Sequence, residues 1–196
     1  IDWCAALLDE RLPENRELQI IRGSVDHLRA LLQRTRMHTG RVVLNPGDCD
    51  VRALFEQIIR ETPHTDALRI EIDRCDDAPL YCDPSHVREA LTNLVGNAVE
   101  AMHGSGRITL SYVRTAHKAS ISVCDDGPGM TPAAQKRIFE PYYTTKTSGE
   151  NFGLGLYYCQ NVMNVHEGSI RVSSAPGKGC TFTLIFPLAA QGRRKP

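Results

Sequence analysis

The stretch Glu89–Met102, EALTNLVGNAVEAM, decides how this sequence is interpreted. Its alanine, leucine and valine residues recur every three or four positions, which predicts a helix. At about 100° per residue, Glu89, Asn93 and Asn97 lie at roughly 0°, 40° and 80° around that helix. The apolar residues occupy a neighbouring sector, which predicts a face buried in the core. Three oxygen-bearing side chains therefore form a row beside the core-facing side.

This row of oxygen-bearing side chains has two interpretations. Asparagine is a poor choice inside a helix because its side chain competes for backbone hydrogen bonds. The row could be a solvated helix face made of helix-neutral residues. It could also be a ligand site, because amide oxygens are hard ligands suited to Mg²⁺, which takes few protein groups.

The composition suits one domain with a smaller appendage. The chain has 196 residues, 41% of them hydrophobic, with 23 basic and 23 acidic side chains. This charge balance argues against a nucleic-acid partner. Seven scattered cysteines indicate buried thiols in a reducing compartment. With no apolar run of membrane-spanning length and no signal peptide, we expect a cytoplasmic segment without membrane contact, although the parent protein could be anchored elsewhere.

Helix and strand patterns are mixed without strict βαβ alternation. We expect an α/β (α+β) domain over residues 41–187, a two-layer sandwich of a mixed sheet with helices on one face. A helical hairpin over residues 1–40 precedes it and a tail over residues 188–196 follows it. The predicted elements of the domain are the helix VRALFEQIIRET capped by Asp50, the strand LRIEID, a helix from Asp83 or Ser85 to Met102, the strands RITLSYV and ASISVCD, a helix to about His166 that ends at Gly168, and a hairpin of SIRVSS and TFTLIFP.

The predicted hairpin carries a heptad pattern in its second helix. Apolar residues at steps of three and four indicate a seam that pairs with another helix. An ordinary amphipathic helix is the alternative, since the stretch is short and Gly23 interrupts it. If the seam pairs, two copies of the hairpin form a four-helix bundle and the protein is a homodimer. The seam consists of Leu18, Ile21, Val25, Leu28 and Leu32.

The segment CDDGPGM follows a predicted strand, so Asp125 lies at or just past the end of that strand. Gly127 and Gly129 allow a tight turn and a close approach to a flat ligand. A carboxylate held there can accept a hydrogen bond from the exocyclic amine of adenine, whereas guanine presents a carbonyl at that edge. The alternative is a surface Asp-Gly turn, which is common.

The segment GLGLYYC begins another predicted helix. Gly153 and Gly155 leave backbone amides near the helix N-terminus, where phosphate oxygens bind well. The preceding polar segment, FEPYYTTKTSGENF, indicates a mobile lid from which Lys146 can reach a terminal phosphate. A plain long loop is the alternative.

In this order, these segments resemble the ATP-binding domain of bacterial sensor histidine kinases, in the superfamily shared with gyrase, Hsp90 and MutL. The resemblance covers residues 41–187 and implies a Bergerat-type fold that binds ATP and Mg²⁺. It implies that Asn97 is the Mg²⁺ ligand and that Asp125 binds adenine. The nucleotide-binding residues implied by the N, G1, F and G2 boxes and by the final strand are Asn93, Asn97, Asp125, Gly127, Gly129, Phe139, Lys146, Gly153, Leu154, Gly155, Leu156 and Thr181, with Pro141 also in the F box.

The resemblance also implies a catalytic set of Glu89, Asn93 and Lys146. ATPases of the superfamily carry a glutamate where this chain has Asn93, and an amide cannot take a proton from water. Hydrolysis should therefore be slow, which leaves the γ-phosphate for a protein nucleophile. A catalytically inactive nucleotide-sensing module of the same fold is the alternative.

The implied activity is transfer of the γ-phosphate to a histidine on a helical hairpin, for relay to the receiver domain of a response regulator in two-component signalling. The phosphoacceptor histidine should be followed by an acidic residue on the first hairpin helix. His166 precedes Glu167 but lies at a helix end, and His27 has no acidic residue after it. We therefore expect residues 1–40 to be part of the protein's own dimerisation hairpin, without the phosphoacceptor histidine.

Overall fold

The computed structural model describes residues 44–63, 65–144 and 153–188. The predicted hairpin of residues 1–40 and residues 189–196 of the predicted tail lie outside the described residues. The backbone N–H of Leu188 donates to the carbonyl of His117 at 2.9 Å, so the domain includes the first residue of that tail. The helices and strands are β1 (Gly47–Cys49), α1 (Val51–Glu61), β2 (Leu68–Cys75), β3 (Leu80–Cys82), α2 (Pro84–Ala101), β4 (Gly106–Arg114), β5 (Lys118–Asp125), α3 (Pro132–Arg137), α4 (Gly155–Val165), β6 (Ser169–Ser174) and β7 (Cys180–Pro187).

Five strands form the main sheet in the order β2-β4-β5-β7-β6. Strand β2 is parallel to β4, and the other neighbouring strands are antiparallel. The connection between the parallel pair passes through β3 and α2, which provides the long crossover that parallel strands need. Strands β1 and β3 form a separate antiparallel pair. The mixed sheet confirms the predicted fold class.

The helices cover one face of the main sheet. On β4, Ile108, Leu110 and Tyr112 are buried, and the residues between them are only partly covered. This alternation is the period of two expected when one sheet face is buried. The buried residues of α1, α2 and α4 belong to the same core cluster as these strand residues. The domain therefore has two layers, as predicted.

Helix α2 begins at a buried carboxylate. Asp83 is only 4% exposed, and its Oδ1 accepts from the backbone N–H groups of Ser85 at 3.0 Å and His86 at 3.2 Å. Its Oδ2 accepts from the backbone N–H of Asn45 at 2.7 Å. Pro84 occupies the first turn, where its missing N–H costs nothing. The predicted helix start is therefore confirmed at Asp83.

Helix α4 ends differently from the predicted glycine stop. Its last residue is Val165, and Glu167, with a φ of 56°, takes the left-handed conformation expected of a glycine. A Cβ at Gly168 would lie 2.4 Å from the carbonyl oxygen of Ile185. Gly168 is thus required for the close approach of α4 to β7 and not for a positive φ.

Three short elements, β1, β3 and α3, do not appear in the sequence-based prediction. The strands have three residues each and the helix has six, so hydrophobic periodicity is not visible in them. Local signals for α3 exist nevertheless. Thr131 caps it by accepting from the N–H of Ala134 at 3.2 Å, and Pro132 follows that cap.

We expect Asp83→Ala to destabilise the domain by about 2 kcal/mol, because it removes an N-cap and leaves three backbone donors without their acceptor. The exposed Asp48 of neighbouring β1 provides the control Asp48→Ala, which should change the unfolding free energy by less than about 0.5 kcal/mol. Chemical denaturation monitored by circular dichroism measures both. Equal effects of the two substitutions would contradict the role of Asp83.

The contribution of Asp83 should also depend on pH. Burial alone would raise the pKa of its carboxyl, but the hydrogen bonds from Asn45, His86 and Ser85 outweigh burial and lower the pKa. A lowered pKa gives full stabilisation above the unfolded value of about 4 and loses it as the pH falls from there through the folded value. The stability difference between the unmodified chain and Asp83→Ala should therefore shrink below about pH 4.

Candidate functional site

The row of oxygen-bearing side chains on α2 is partly covered by protein. Glu89, Asn93 and Asn97 are each half-buried. The Nδ2 of Asn93 donates to the backbone carbonyl of Glu89 at 2.9 Å. Since the nitrogen of that amide is held by the helix, its oxygen points away from this bond and toward the neighbouring helix.

The N-terminus of α4 lies against Asn93. A Cβ at Gly155 would lie 2.9 Å from the Oδ1 of Asn93, so a larger residue at this position would displace the Asn93 amide. Leu154, the residue before the helix, makes no side-chain cap hydrogen bond. The first-turn amides of α4 therefore have no side-chain cap, and such amides are a good environment for an anion.

Gly153 joins this site to the segment that precedes it. Its φ is 64°, and a Cβ there would lie 2.6 Å from the backbone of Tyr142 and Tyr143. The backbone N–H of Tyr142 donates to the carbonyl of Gly153 at 3.0 Å. This bond brings together the two ends of the segment that contains Lys146. Lys146 itself lies outside the described residues.

A hydrogen-bonded bridge between α2 and α4 was not foreseen from the sequence. The hydroxyl of Tyr158 donates to the Oε2 of Glu89 at 2.5 Å. The Nδ1 of His86 lies 3.0 Å from the same hydroxyl, and the hydroxyl accepts from it because its own hydrogen is directed to Glu89. Burial and the Glu89 carboxylate raise the pKa of Tyr158 well above its ordinary value. Tyr158 therefore stays protonated, and its hydroxyl joins Glu89 of the row of oxygen-bearing side chains to α4.

Asp125 is the last residue of β5 and is 8% exposed. Its Oδ1 accepts from the backbone N–H of Gly127 at 3.0 Å. Burial raises the pKa of this carboxyl, and the bonds from the backbones of Gly127 and Cys180 oppose that rise. A carboxylate has about four acceptor positions, so Asp125 retains capacity for a ligand amine.

The glycines beside Asp125 allow close contacts. A Cβ at Gly127 would lie 2.9 Å from the Oδ1 of Asp125 and 3.1 Å from Met102. Gly129 has a φ of 69°, and a Cβ there would lie 2.0 Å from the carbonyl oxygen of Ala175. Helix α2 therefore contacts α4 through Asn93, and Met102, which follows the helix, lies beside the turn after Asp125. Asn97 lies between these two points on the same helix.

Thr181, which the resemblance implies is a nucleotide-binding residue, does not share a sheet face with Asp125. Thr181 pairs with Cys124 across the sheet, whereas Cys180 pairs with Asp125. Successive side chains of a strand point to opposite faces, so Thr181 lies on the open face, while Cys180 is buried. Burial and the Asp125 carboxylate raise the pKa of the Cys180 thiol to about 12. Cys180, and not Thr181, therefore lies on the same sheet face as Asp125.

Phe139 lies at the edge of the core. Its ring packs edge-on against Phe182, with centroids 6.5 Å apart and planes at 83°. The guanidinium of Arg137 lies over the ring of Tyr143, 4.5 Å from its centroid. Phe139 thus anchors the segment after α3, while Pro141 is exposed. In the G2 segment, Leu154 is buried and Leu156 packs against the core.

A Mg²⁺ ion at Asn97 would have to be held mainly by phosphate and water. Within the described ranges, no group of three or more histidine, cysteine, aspartate or glutamate side chains could hold a metal ion. Mg²⁺ typically takes only one or two protein groups in nucleotide sites, and an amide oxygen on a helix face suffices.

The described helices include none that is long and apolar enough to cross a membrane.

Comparison with known proteins gives a family match. Residues 82–190, more than half of the chain, match the family described as histidine kinase-, DNA gyrase B- and HSP90-like ATPase. The signal transduction histidine-protein kinase AtoS of Escherichia coli (strain K12) is 41% identical over 118 residues, which are 60% of this chain and 19% of AtoS. The adaptive-response sensory kinase SasA of Rippkaea orientalis is 32% identical over 165 residues, 81% of this chain and 42% of SasA. The chain thus spans less than half of either relative.

Solved structures with the same fold include histidine kinases. Full-length ShkA in complex with AMPPNP has a TM-score of 0.75 and 26% identity, covering 87% of this chain and 38% of ShkA. The nucleotide-free catalytic domain of the histidine kinase ThkA has a TM-score of 0.63 and 25% identity, covering 74% of this chain and 98% of that domain.

We expect Tyr158→Phe to lower the free energy of unfolding by about 1–2 kcal/mol, because it leaves Glu89 and His86 without a shared hydroxyl. Tyr157→Phe removes a hydroxyl from the preceding residue of α4 and serves as the matched control. A double-mutant cycle with Glu89→Gln should show coupling of at least about 0.5 kcal/mol for Tyr158. Additive effects, or equal losses for the two tyrosines, would contradict a bridge through this hydroxyl.

Proposed function

The chain belongs to the family of histidine kinase-, DNA gyrase B- and HSP90-like ATPases, and from this we propose that it is the catalytic region of a sensor histidine kinase. In this proposal it binds Mg²⁺-ATP and transfers the γ-phosphate to a histidine on a helical hairpin of the same protein. The phosphate then passes to the receiver domain of a response regulator. The proposed protein acts as a homodimer through its N-terminal helices.

The contact between Gly155 and Asn93 carries the proposal. It puts an amide oxygen, 2.9 Å from the Cβ that any other residue would have, beside the N-terminus of α4. An amide cannot remove a proton from water, and in the resemblance described above the water-activating members have a glutamate at this position. A phosphate held there is thus kept for a nucleophile that needs no base to remove a proton before it attacks, such as a neutral imidazole.

Each region of the site has a separate task in this proposal. Asp125 accepts a hydrogen bond from the exocyclic amine of adenine, and Gly127 and Gly129 let the base approach the backbone. The uncapped amides at Gly155 face the phosphates. Asn97 holds Mg²⁺, which neutralises charge on the phosphates when it is bound.

Glu89 and Lys146 complete the proposed catalytic set. The Tyr158 hydroxyl fixes one oxygen of Glu89, so the carboxylate is oriented before any ligand arrives. Lys146 is assigned to the terminal phosphate. The bond between Tyr142 and Gly153 places the two ends of the segment that contains Lys146 together, next to the start of α4.

We expect Asp125→Asn to weaken ATP binding at least about tenfold, since a charge-assisted hydrogen bond contributes about 1.5–3 kcal/mol. The unmodified chain should bind GTP much more weakly than ATP. Isothermal titration calorimetry measures both affinities. Asp73→Asn, at an exposed position of β2, is the control for the lost charge. Equal ATP and GTP affinities of the unmodified chain would exclude Asp125 from base recognition.

Phosphotransfer from γ-labelled ATP tests the proposed reaction. We expect no acid-labile, alkali-stable label on the chain alone, because none of its histidines has the expected setting. Addition of the parent protein's phosphoacceptor hairpin should produce that label on the hairpin. Asn97→Ala should reduce it to background while the circular dichroism spectrum is unchanged, and Asn164→Ala, an exposed asparagine of α4, should not.

The other outcomes of this experiment contradict specific parts of the proposal. Label on a histidine of the chain itself would show that the phosphoacceptor lies within these residues. ATP binding without label on the hairpin would favour a nucleotide-sensing module. Full activity of a folded Asn97→Ala variant would remove Asn97 as the metal ligand.

A further inference from the structure

Two buried cysteines face each other in the small sheet of β1 and β3. Cys49 ends β1 and Cys82 ends β3, and the residues that follow them, Asp50 and Asp83, cap α1 and α2. The register pairs Gly47 with Cys82 and Cys49 with Leu80, so the two cysteines are diagonal neighbours. Both are buried, at 5% and 1% exposure, which puts them on the same inward face.

The two thiols lie close enough on this face for each to influence the ionisation of the other. Interaction with Cys82 lowers the pKa of Cys49, against the opposing effects of burial and Asp50, and interaction with Cys49, together with burial, raises the pKa of Cys82. Of the two, Cys49 is therefore the thiol that more readily becomes the attacking thiolate.

An open space borders the pair at Gly47. Gly47 lies opposite Cys82, and a Cβ added at Gly47 would meet no atom within 4 Å. The sheet has only two strands of three residues each. Such a short pair opens more easily than a five-stranded sheet, and opening exposes Cys49 to small reagents.

We propose that Cys49 and Cys82 are a redox-active dithiol that a low-molecular-weight disulfide, such as glutathione disulfide, converts to an intramolecular disulfide. The thiolate of Cys49 attacks one sulfur of the reagent, forms a mixed disulfide and releases one thiolate. Cys82 loses its proton to solvent and attacks the Cys49 sulfur, which releases the second thiolate. Two protein thiols are thereby oxidised by two electrons, and one reagent disulfide is reduced to two thiols.

The cross-link would join the starts of α1 and α2. It would close a loop that contains α1 and β2, which restricts the unfolded chain and raises the melting temperature. The site is independent of the proposed kinase activity because it contains none of the residues assigned to nucleotide or Mg²⁺.

The other described cysteines provide the controls. Cys124 is exposed on the open face of the main sheet, so it should form a mixed disulfide and report that the reagent is active. Cys159 is fully buried, and its thiol donates to the carbonyl of Ala90 at 3.4 Å. Among the described cysteines it has no such partner thiol, and it should stay reduced in the folded chain.

The experiment is incubation of the native chain with glutathione disulfide, followed by alkylation and peptide mapping without reduction. We expect a peptide pair cross-linked through Cys49 and Cys82, a higher melting temperature, and reversal of both by excess reduced thiol. In Cys82→Ser, glutathione should remain attached to Cys49. In Cys49→Ser, Cys82 should take up much less. Cys124→Ser should retain the cross-link.

Three results would overturn the proposal. One is glutathione on Cys124 with no cross-link between Cys49 and Cys82. Another is a cross-link that forms only in denaturant, because the native contact would then not direct it. The third is equal trapping of glutathione by the two serine variants, which would contradict the asymmetric pair. The mapping of the unmodified chain needs no variant, so a variant that fails to fold does not prevent the test.

Discussion

The buried Asp83 connects the parts on which the candidate site depends. Its carboxylate holds the start of α2 and the backbone of Asn45, and its own N–H donates to the Nε2 of His166 at 2.9 Å. The Nδ1 of His166 lies 2.7 Å from the carbonyl of Val162 and must donate to it, since a carbonyl only accepts. One residue thus ties the beginning of α2 to the end of α4. Loss of this connection would remove the contact between the start of α2 and the end of α4.

Two further contacts determine how α2 and α4 lie along each other. The Tyr158 hydroxyl joins α4 to Glu89, and the missing side chain of Gly155 lets the first turn of α4 touch Asn93. With the His166 bond, these contacts hold α4 to α2 at both ends and between them. The amide row of one helix and the N-terminus of the other therefore stay together without a ligand. Such preorganisation lowers the cost of binding a phosphate chain.

Close backbone approach is the second constraint on the site. A Cβ at Gly179 would lie 1.9 Å from the carbonyl oxygen of Asp125, and one at Gly129 would lie 2.0 Å from that of Ala175. These contacts hold the turn after β5 against the turn between β6 and β7. The carboxylate of Asp125 is consequently buried at a fixed position, where a charge-assisted bond is strong.

Much of the fold was accessible from local patterns because those patterns have local causes. The alternation in β4 and β5, the Asp50 and Asp83 caps and the periodicity of α2 each reflect the conformation of a few neighbouring residues. The order of the glycine and asparagine motifs correctly indicated the family, and the structure places Glu89, Asn93 and Gly155 next to one another. The short β1, β3 and α3 lack enough residues to show a period. The hairpin of residues 1–40 and Lys146 remain predictions.

The sequence by itself determined the longer helices and strands, the two-layer class and the identity of the motifs, because helix and strand periods and backbone requirements of glycine are properties of short segments. Only the tertiary structure decided which side chains meet. Thr181 and Cys180 differ by one position, and the pairing of Cys180 with Asp125 alone shows which of them faces the site. The hydroxyl of Tyr158 bonds Glu89, which is 69 residues away in the sequence. Cys82 lies diagonally opposite Cys49 in a strand pair too short to predict. Such contacts depend on the packing of distant segments, for which a single strand or helix carries no signal.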